Sequence, residues 1–314
     1  MDKSYFRKQP KVYASLKLLK KFLVAKYPPS IAAINLKIRA RNPKSINQKI
    51  LWKMLHDKRE YLTLFADKYR VREYVTSRIG EQYLTKILFV GSLGEVIPWS
   101  SLPNEFVIKC NHSSGGSVIV SGDAKKNSLP RTLDSLNWGK YLIHPEDIDK
   151  QKIQHFFNEL LTRNYADFPG FREYAYLGIT PKLIIEELLK NDKGNVPNDV
   201  KFWCINGCVE LIQVDVNRFS SHQRQFFDRN WNMIPVRLTY PFPQEDIITP
   251  LNLQKMIVLA ELLSNSVDFV RVDFYDLGNR IVFGELTNYP GGGLEKFNPS
   301  ELGLHLGSIL RLDG

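Results

Sequence analysis

The chain has 314 residues, 43% of them hydrophobic and 12% aromatic. That is too long for one typical core and too apolar for a disordered protein, so two or three subdomains are expected. The formal charge of +10 is unevenly placed: residues 1–60 hold sixteen Lys and Arg against Asp2, Asp57 and Glu60, so the remainder sums to −3. No signal peptide is visible, and no uncharged apolar run approaches the ~20 residues that span a bilayer, which argues for a cytoplasmic protein.

The basic stretch comes first. Val12, Leu16, Leu19 and Leu23 recur at helical spacing among Lys11, Lys17, Lys20, Lys21 and Lys26, and Pro28-Pro29 ends that helix. Three readings fit: a solvated surface helix packed on the body, a helix of residues 1–30 on an anionic membrane surface, or a cradle for an acidic saccharide or nucleic acid. Nucleic acid is the weakest partner, because no recognised nucleic-acid module is present. Ile46–Val75 reads as helical, and Ile79–Leu102 as short strands and loops.

Phe106–Lys109 is an apolar run ending in a lysine. Cys110-Asn-His-Ser-Ser-Gly-Gly-Ser117 follows, and then Val118–Val120. Strand, Gly-rich loop, strand is a hairpin whose tip can fold over phosphates with its N–H groups, or is a plain turn. His112 beside that loop either approaches a substrate or has no role. A helix is expected near Gln151–Arg163. Lys182–Leu189 is a buried-looking strand running into Glu186 and Glu187, and the polar segment Lys190–Asn198, broken by Gly194 and Pro197, reads as a connection.

Asp199–Asp215 is a second hairpin turning at Asn206-Gly207, a strong turn signal between apolar runs. From its end into a polar loop run Gln213, Asp215, Asn217, Arg218, His222 and Arg224, which suit an anionic substrate or form a solvated loop. Leu253–Leu263 is helical, with Met256, Leu259, Ala260 and Leu263 on one face. Last, Phe269–Gly293 reads as two apolar strands around Gly278-Asn279, each carrying an acid, Asp273 and Glu285. Two carboxylates at similar distances from a turn can share a hard cation such as Mg²⁺, or face solvent as an ordinary hairpin's acids do. Cys204 and Cys208 lie in a strand pattern without Cys-x-x-Cys spacing, so with Cys110 they are expected as reduced thiols, the strand pair in the core.

The joint order of these pieces resembles the ATP-grasp superfamily, and within it the teichuronopeptide-biosynthesis (TupA-like) branch. The resemblance runs from about Asn42 to the C-terminus. It includes Asn42–Ile50 with Trp52, Ala66–Val75, Phe106–Gly116, Ile184–Glu187, Val270–Asp273, Gly284–Thr287 and Pro290–Gly293. It implies an α+β ATP-grasp fold, two antiparallel-sheet subdomains clasping ATP, with a helical basic N-terminal arm. The division it suggests is 1–60 for the arm, 61–105 for an α/β segment, 106–190 for the lid side and 191–314 for the catalytic side.

The resemblance also implies roles. Lys109 and Lys201 would bind nucleotide phosphates. Ser113, Ser114, Gly115, Gly116 and Ser117 would form a mobile lid over the γ-phosphate. Glu186, Glu187 and Leu188 would form the hinge that holds adenine and ribose. Arg271 would balance charge on the transferred phosphoryl group. Asp273 and Glu285 would hold two Mg²⁺ ions. Outside what the resemblance implies, Asp215, Arg218, His222 and Arg224 are the residues whose own chemistry suits a substrate. One departure stands out: many superfamily members have Glu-x-Asn where this chain has Glu285-Leu-Thr287-Asn288, so either Thr287 or Asn288 completes the metal shell. The implied activity is a carboxylate–amine ligase working through an acyl phosphate, in cell-surface glycopolymer synthesis, joining an amine to a uronic-acid-type carboxylate. A sugar kinase on the same fold, or a nucleotide-binding scaffold of a membrane-bound polysaccharide assembly, are the alternatives. A peripheral place on the inner face of the membrane would suit the basic arm.

Overall fold

The computed structural model describes residues 40–167, 173–192, 194, 196–217 and 221–312. The expected helix of residues 12–26, and the partners proposed for residues 1–30, lie outside them. The stretch read as one helix over 46–75 is three: α1 (Ile46–His56), α2 (Glu60–Ala66) and α3 (Val71–Ile79). Local chemistry sets the breaks. Ser45 and Gln48 form a reciprocal capping box at the start of α1. Asp67 accepts hydrogen bonds from the N–H groups of Tyr69 and Arg70, which turns the chain into α3. Gly80, at φ 106°, ends α3.

Two sheets follow. The first has the order β1 (Ile87–Gly91), β5 (Leu183–Glu187), β2 (Phe106–Cys110), β3 (Ser117–Val120), β4 (Lys140–Ile143). It is antiparallel except for β3 and β4, which run parallel. The second is antiparallel throughout, in the order β12 (Ile281–Thr287), β11 (Phe269–Asp276), β6 (Asp199–Ile205), β7 (Cys208–Val216), β8 (Gln223–Phe227), β9 (Met233–Ile234). A small pair joins β10 (Arg237–Leu238) to β13 (Phe297–Asn298). The hairpin of β6 and β7 turns on Asn206 (φ 51°) and Gly207 (φ 81°), the left-handed pair that a two-residue turn requires.

Alternation along each strand decides what faces the cleft. In β2, Phe106, Ile108 and Cys110 pack on Ile153, Phe156, Phe157 and Leu160 of α4 (Lys150–Leu161), so Val107 and Lys109 point the other way. In the second sheet Val200, Phe202, Val270, Val272 and Phe274 pack on Met256, Ile257 and Ala260 of α5 (Leu253–Ser264). The opposite face of that sheet is half apolar. Trp203, Ile205, Leu211 and Phe269 are covered by α1, α2 and α6 (Glu301–Ile309), and beyond them the face turns polar.

Lys53 of α1 is fully buried, with its ammonium 2.6 Å from both Asp57 and Asp268. Arg59 closes the network onto the same two carboxylates. Asp268 immediately precedes β11, so the network ties α1 to that strand. Cys110 and Cys204 are buried free thiols; Cys208, expected in the core, is exposed, because it begins β7 at the hairpin turn.

Candidate functional site

The polar half of the second sheet is a set of cross-strand rungs. Glu285, Asp273, Lys201 and Gln213 lie directly opposite one another in consecutive strands. Lys201 donates to Asp273 at 2.6 Å and to Asp199 at 3.2 Å. Arg271, two residues before Asp273 on the same face, forks onto it: Nε lies 2.6 Å from Oδ1 and Nη2 2.7 Å from Oδ2. The same Nη2 reaches Glu285 and Thr287, both at 3.0 Å. Burial alone would raise the Glu285 carboxyl, but the charges of Arg271, Lys68, Lys201 and Lys140 hold it well below the usual carboxylate range. Burial pushes the Asp273 carboxyl upward against the pull of Arg271 and Lys201.

Thr287 and Asn288 go different ways. The Thr287 hydroxyl donates to Glu285 at 3.1 Å and stays beside the carboxylate pair. The Asn288 amide turns to α2 and donates to the Leu62 carbonyl at 2.7 Å, while its Oδ1 is buried with no hydrogen-bond partner among the described residues.

On the first sheet, Lys109 reaches Glu186 of β5, with Nζ 2.5 Å from the carboxylate, and Arg72 of α3 stands 3.6 Å from the same group. Glu187 accepts from the Lys86 N–H at 3.1 Å and from Arg280 at 3.0 Å. Leu188 follows at the end of the strand, half-buried. Beside Glu187 an open cavity of about 820 Å³ is lined by Arg72, Thr85, Lys86, Glu187 and Arg280, with Glu186 outside its lining.

The Gly-rich loop is anchored at its base and packed at its tip. Asn111, His112 and Ser113 are buried. Asn111 donates to Asp67 and to the Thr180 carbonyl, and the Lys68 ammonium donates to the Ser113 carbonyl. His112 is not presented to a substrate: it sits against the Arg163 carbonyl and edge-on to Trp138, and burial lowers its pKa. The N–H of Gly116 donates to the Trp138 carbonyl at 2.8 Å, and that of Ser117 to Gly139 at 3.1 Å. A Cβ on Gly115 would lie 2.5 Å from the Trp138 carbonyl oxygen, which is why the loop needs glycine there. Ser114 is exposed and lines the neighbouring cavity.

That cavity, of about 390 Å³, lies between the loop and the second sheet. Lys68, Ser114, Tyr165, Glu173, Tyr176, Arg271, Glu285, Thr287, Asn288, Tyr289, Gly291 and Gly292 line it. Lys68 and Glu173 were not singled out from the sequence. Lys68 lay inside the Ala66–Val75 segment of the resemblance, and a lysine following a helix-capping aspartate was the available signal. Burial, with Lys109 and Lys140 nearby, lowers the Lys68 ammonium to about 8 against the opposing pull of Glu285. Glu173 sits between 3₁₀ turns in a stretch without periodicity, and no sequence signal marked it.

The expected substrate cluster is largely committed within the fold. Arg224 is buried and forks onto Asp215, its cross-strand partner, at 2.6 and 3.2 Å. The guanidinium is therefore not presented to a ligand. Gln213 also donates to Asp215, at 3.0 Å from its Oδ2. His222 stacks on Tyr240 with centroids 3.7 Å apart, and its Nε2 is 3.4 Å from Asp215. Arg218 lies outside the described residues.

The donor chemistry fits a nucleotide with Mg²⁺. Among the described residues no group of three or more His, Cys, Asp and Glu could hold a metal. The pair Asp273 and Glu285 suits Mg²⁺ instead, which is bound through one or two carboxylates and completed by phosphates and water. Arg271, Lys201, Lys68 and Lys140 supply cations around that pair, and Lys109 stands on the first sheet beside Glu186. No helix among the described residues is long and apolar enough to cross a membrane.

A model of the TupA-like ATPgrasp family matches residues 48–311. The chain belongs to that family, and its two sheets and connecting helices are an ATP-grasp fold of α+β class. No curated protein matches the chain. Similar solved structures include the D-alanine–D-alanine ligase of Bacillus anthracis complexed with ATP, at 12% identity and TM-score 0.39, covering 73% of this chain and 56% of that one. The D-alanine–D-alanine ligase of Helicobacter pylori matches at 10% identity and TM-score 0.40, over 79% of this chain and 62% of that one. The ATP-grasp ligase PsnB, complexed with a minimal precursor, matches at 10% and 0.37, over 73% and 53%. The chain thus spans less than two thirds of the length of each of these three.

Proposed function

We propose that this protein is an ATP-dependent carboxylate–amine ligase of cell-surface glycopolymer synthesis. The observation that carries the reading is the rung of Glu285, Asp273 and Lys201, with Arg271 lying across both carboxylates. Mg²⁺ with ATP would supply an activated γ-phosphoryl group to a substrate carboxylate. Asp273 and Glu285, with the Thr287 hydroxyl beside them, would hold the metal. Lys201 and Lys109 would neutralise phosphate oxygens, Lys68 would add a cation from the helical side, and Arg271 would pair with the transferred group and the oxyanion of the amine's attack. Glu186, Glu187 and Leu188, beside the larger cavity, would hold adenine and ribose. The protein's contribution would be positioning and charge neutralisation rather than covalent chemistry.

The family resemblance to teichuronopeptide synthesis supports a uronic-acid carboxylate as acceptor. Product mass spectrometry after incubation with ATP, Mg²⁺, uronic acids and amino acids tests the reading. The expected result is an amide with stoichiometric ADP and free phosphate. A phosphorylated sugar with no free phosphate would overturn it in favour of a kinase.

A further inference from the structure

The smaller cavity is aromatic at one end. There Tyr165 and Tyr176 meet edge to face, with centroids 4.8 Å apart, and Glu173 lies among them. Asn288 and Tyr289 line the same cavity, each at least nine-tenths buried, and the Asn288 Oδ1 and Tyr289 hydroxyl have no hydrogen-bond partner among the described residues. Buried polar atoms are rarely left unsatisfied unless a ligand or water completes them. The Glu173 carbonyl accepts from the Tyr176 N–H, while its side-chain carboxyl makes no hydrogen bond or ion pair with a described residue and lines the cavity.

Resting on the ligase reading, we propose that this end of the cavity receives the amine and that Glu173 is the base that removes its proton. The amine enters as an ammonium ion. Glu173 takes one proton from it, the freed lone pair forms the C–N bond to the acyl phosphate, the C–O bond to phosphate breaks, and inorganic phosphate leaves. The second proton departs from the new amide nitrogen to phosphate or water. The tyrosine rings suit the body of an amino acid or amino sugar. The charged and titratable groups sharing the cavity are Lys68, Arg271, Glu285, Tyr165, Tyr176 and Tyr289. Burial raises the Glu173 carboxyl to about 7, with Lys68 pulling against it. A base works best with an acidity near the working pH, and an ordinary exposed glutamate would be too weak.

The test compares nucleophiles that differ in their need for a base. Hydroxylamine is already neutral at neutral pH and traps an acyl phosphate as a hydroxamate without deprotonation. Wild type and Glu173→Gln would be given glucuronate or galacturonate, Mg²⁺ and ATP, with either hydroxylamine or a panel of glycine, alanine, lysine and glucosamine. The expected result is hydroxamate formation within about twofold of wild type, but amide formation reduced on the order of 10²-fold. Glu173→Asp, which keeps the carboxylate, should recover part of the amide rate and guards against a folding defect in the glutamine variant. Equal loss of both products, or loss of neither, would overturn the proposal. Hydroxamate from the wild type with no amide from any amine would also overturn it and leave the ligase reading standing. Absence of hydroxamate from the wild type would sink both.

Discussion

The guanidinium of Arg271 and the carboxylate of Asp273 are paired along one strand, two residues apart, by two bonds of 2.6 and 2.7 Å. The same guanidinium reaches Glu285. A monovalent organic cation thus spans the two carboxylates that would share a divalent one. A metal bound at this pair would therefore exchange partners rather than fill an open site.

The two carboxylates should respond differently to neutralisation. Asp273 is buried and carries both Arg271 and Lys201, so Asp273→Asn should destabilise the protein by about 3–5 kcal/mol, the usual effect of removing one partner of a buried pair. The Glu285 side chain is 44% exposed, so solvent screens its cations and Glu285→Gln should cost less stability than Asp273→Asn. It should still reduce turnover by ~10²-fold. Thermal melts alongside ADP release check both. Wild-type turnover in Glu285→Gln would remove Glu285 from the metal site.

Thr287 and Asn288 should separate in the same way. Asn288→Leu breaks the buried bond to the Leu62 carbonyl and should cost about 1–3 kcal/mol of stability. Thr287→Val keeps its shape and should fold normally, yet cut turnover about tenfold and raise the Mg²⁺ concentration needed. Unchanged Mg²⁺ dependence in Thr287→Val would count against a role for the hydroxyl.

Lys109→Met should leave the fold intact, because Arg72 remains near Glu186. It should abolish most of the thermal stabilisation by Mg²⁺-ATP. That stabilisation is worth about 2.7 kcal/mol in the wild type when nucleotide exceeds Kd 100-fold. A melt shift equal to the wild type's would remove Lys109 from the phosphate site.

Acid stability should depend on Arg224. Burial alone would raise the Asp215 carboxyl, but the Arg224 fork, with Lys201 and His222, holds it at about 2. A carboxylate lowered in the folded state stabilises above its unfolded value, near 3.9, and that contribution fades as pH falls toward 2. It is worth about 2 kcal/mol at neutral pH. Arg224→Met should lose most of it, so its unfolding free energy should fall less than that of wild type between pH 5 and pH 2. Parallel pH profiles for the two proteins would refute the assignment.

The hairpins could be read from the sequence because their signals are local. Asn206-Gly207 and Gly278 mark turns. Strict alternation from Gly278 would set Asp273 opposite Gly284, however; a bulge between Phe274 and Asp273 shifts the register and sets Glu285 there instead, and no local signal marked it. The pairing of Lys201 with Asp273 is 72 residues long-range and appears only when β6 and β11 are neighbours. The parallel partner of β3 was not legible, since β4 follows a connection with no periodic signal. Glu173 and Lys68 escaped for the same reason: each is placed by tertiary packing, not by a pattern around it. The substrate cluster was misjudged in a different way. A polar run near a strand end reads alike whether its arginine meets a ligand or, as Arg224 does, the aspartate on the next strand.

Lys53 has a consequence for how the molecule opens. Its ammonium and the carboxylates of Asp57 and Asp268 cannot be separated without leaving charge in an apolar interior. Helix α1 should therefore not fray from the body as a terminal helix ordinarily does. Its amides and those of β11 should exchange with solvent through one shared opening event, with the same free energy and denaturant dependence. The strand that carries Arg271 and Asp273 and the helix some 220 residues before it in sequence would then form one cooperative unit.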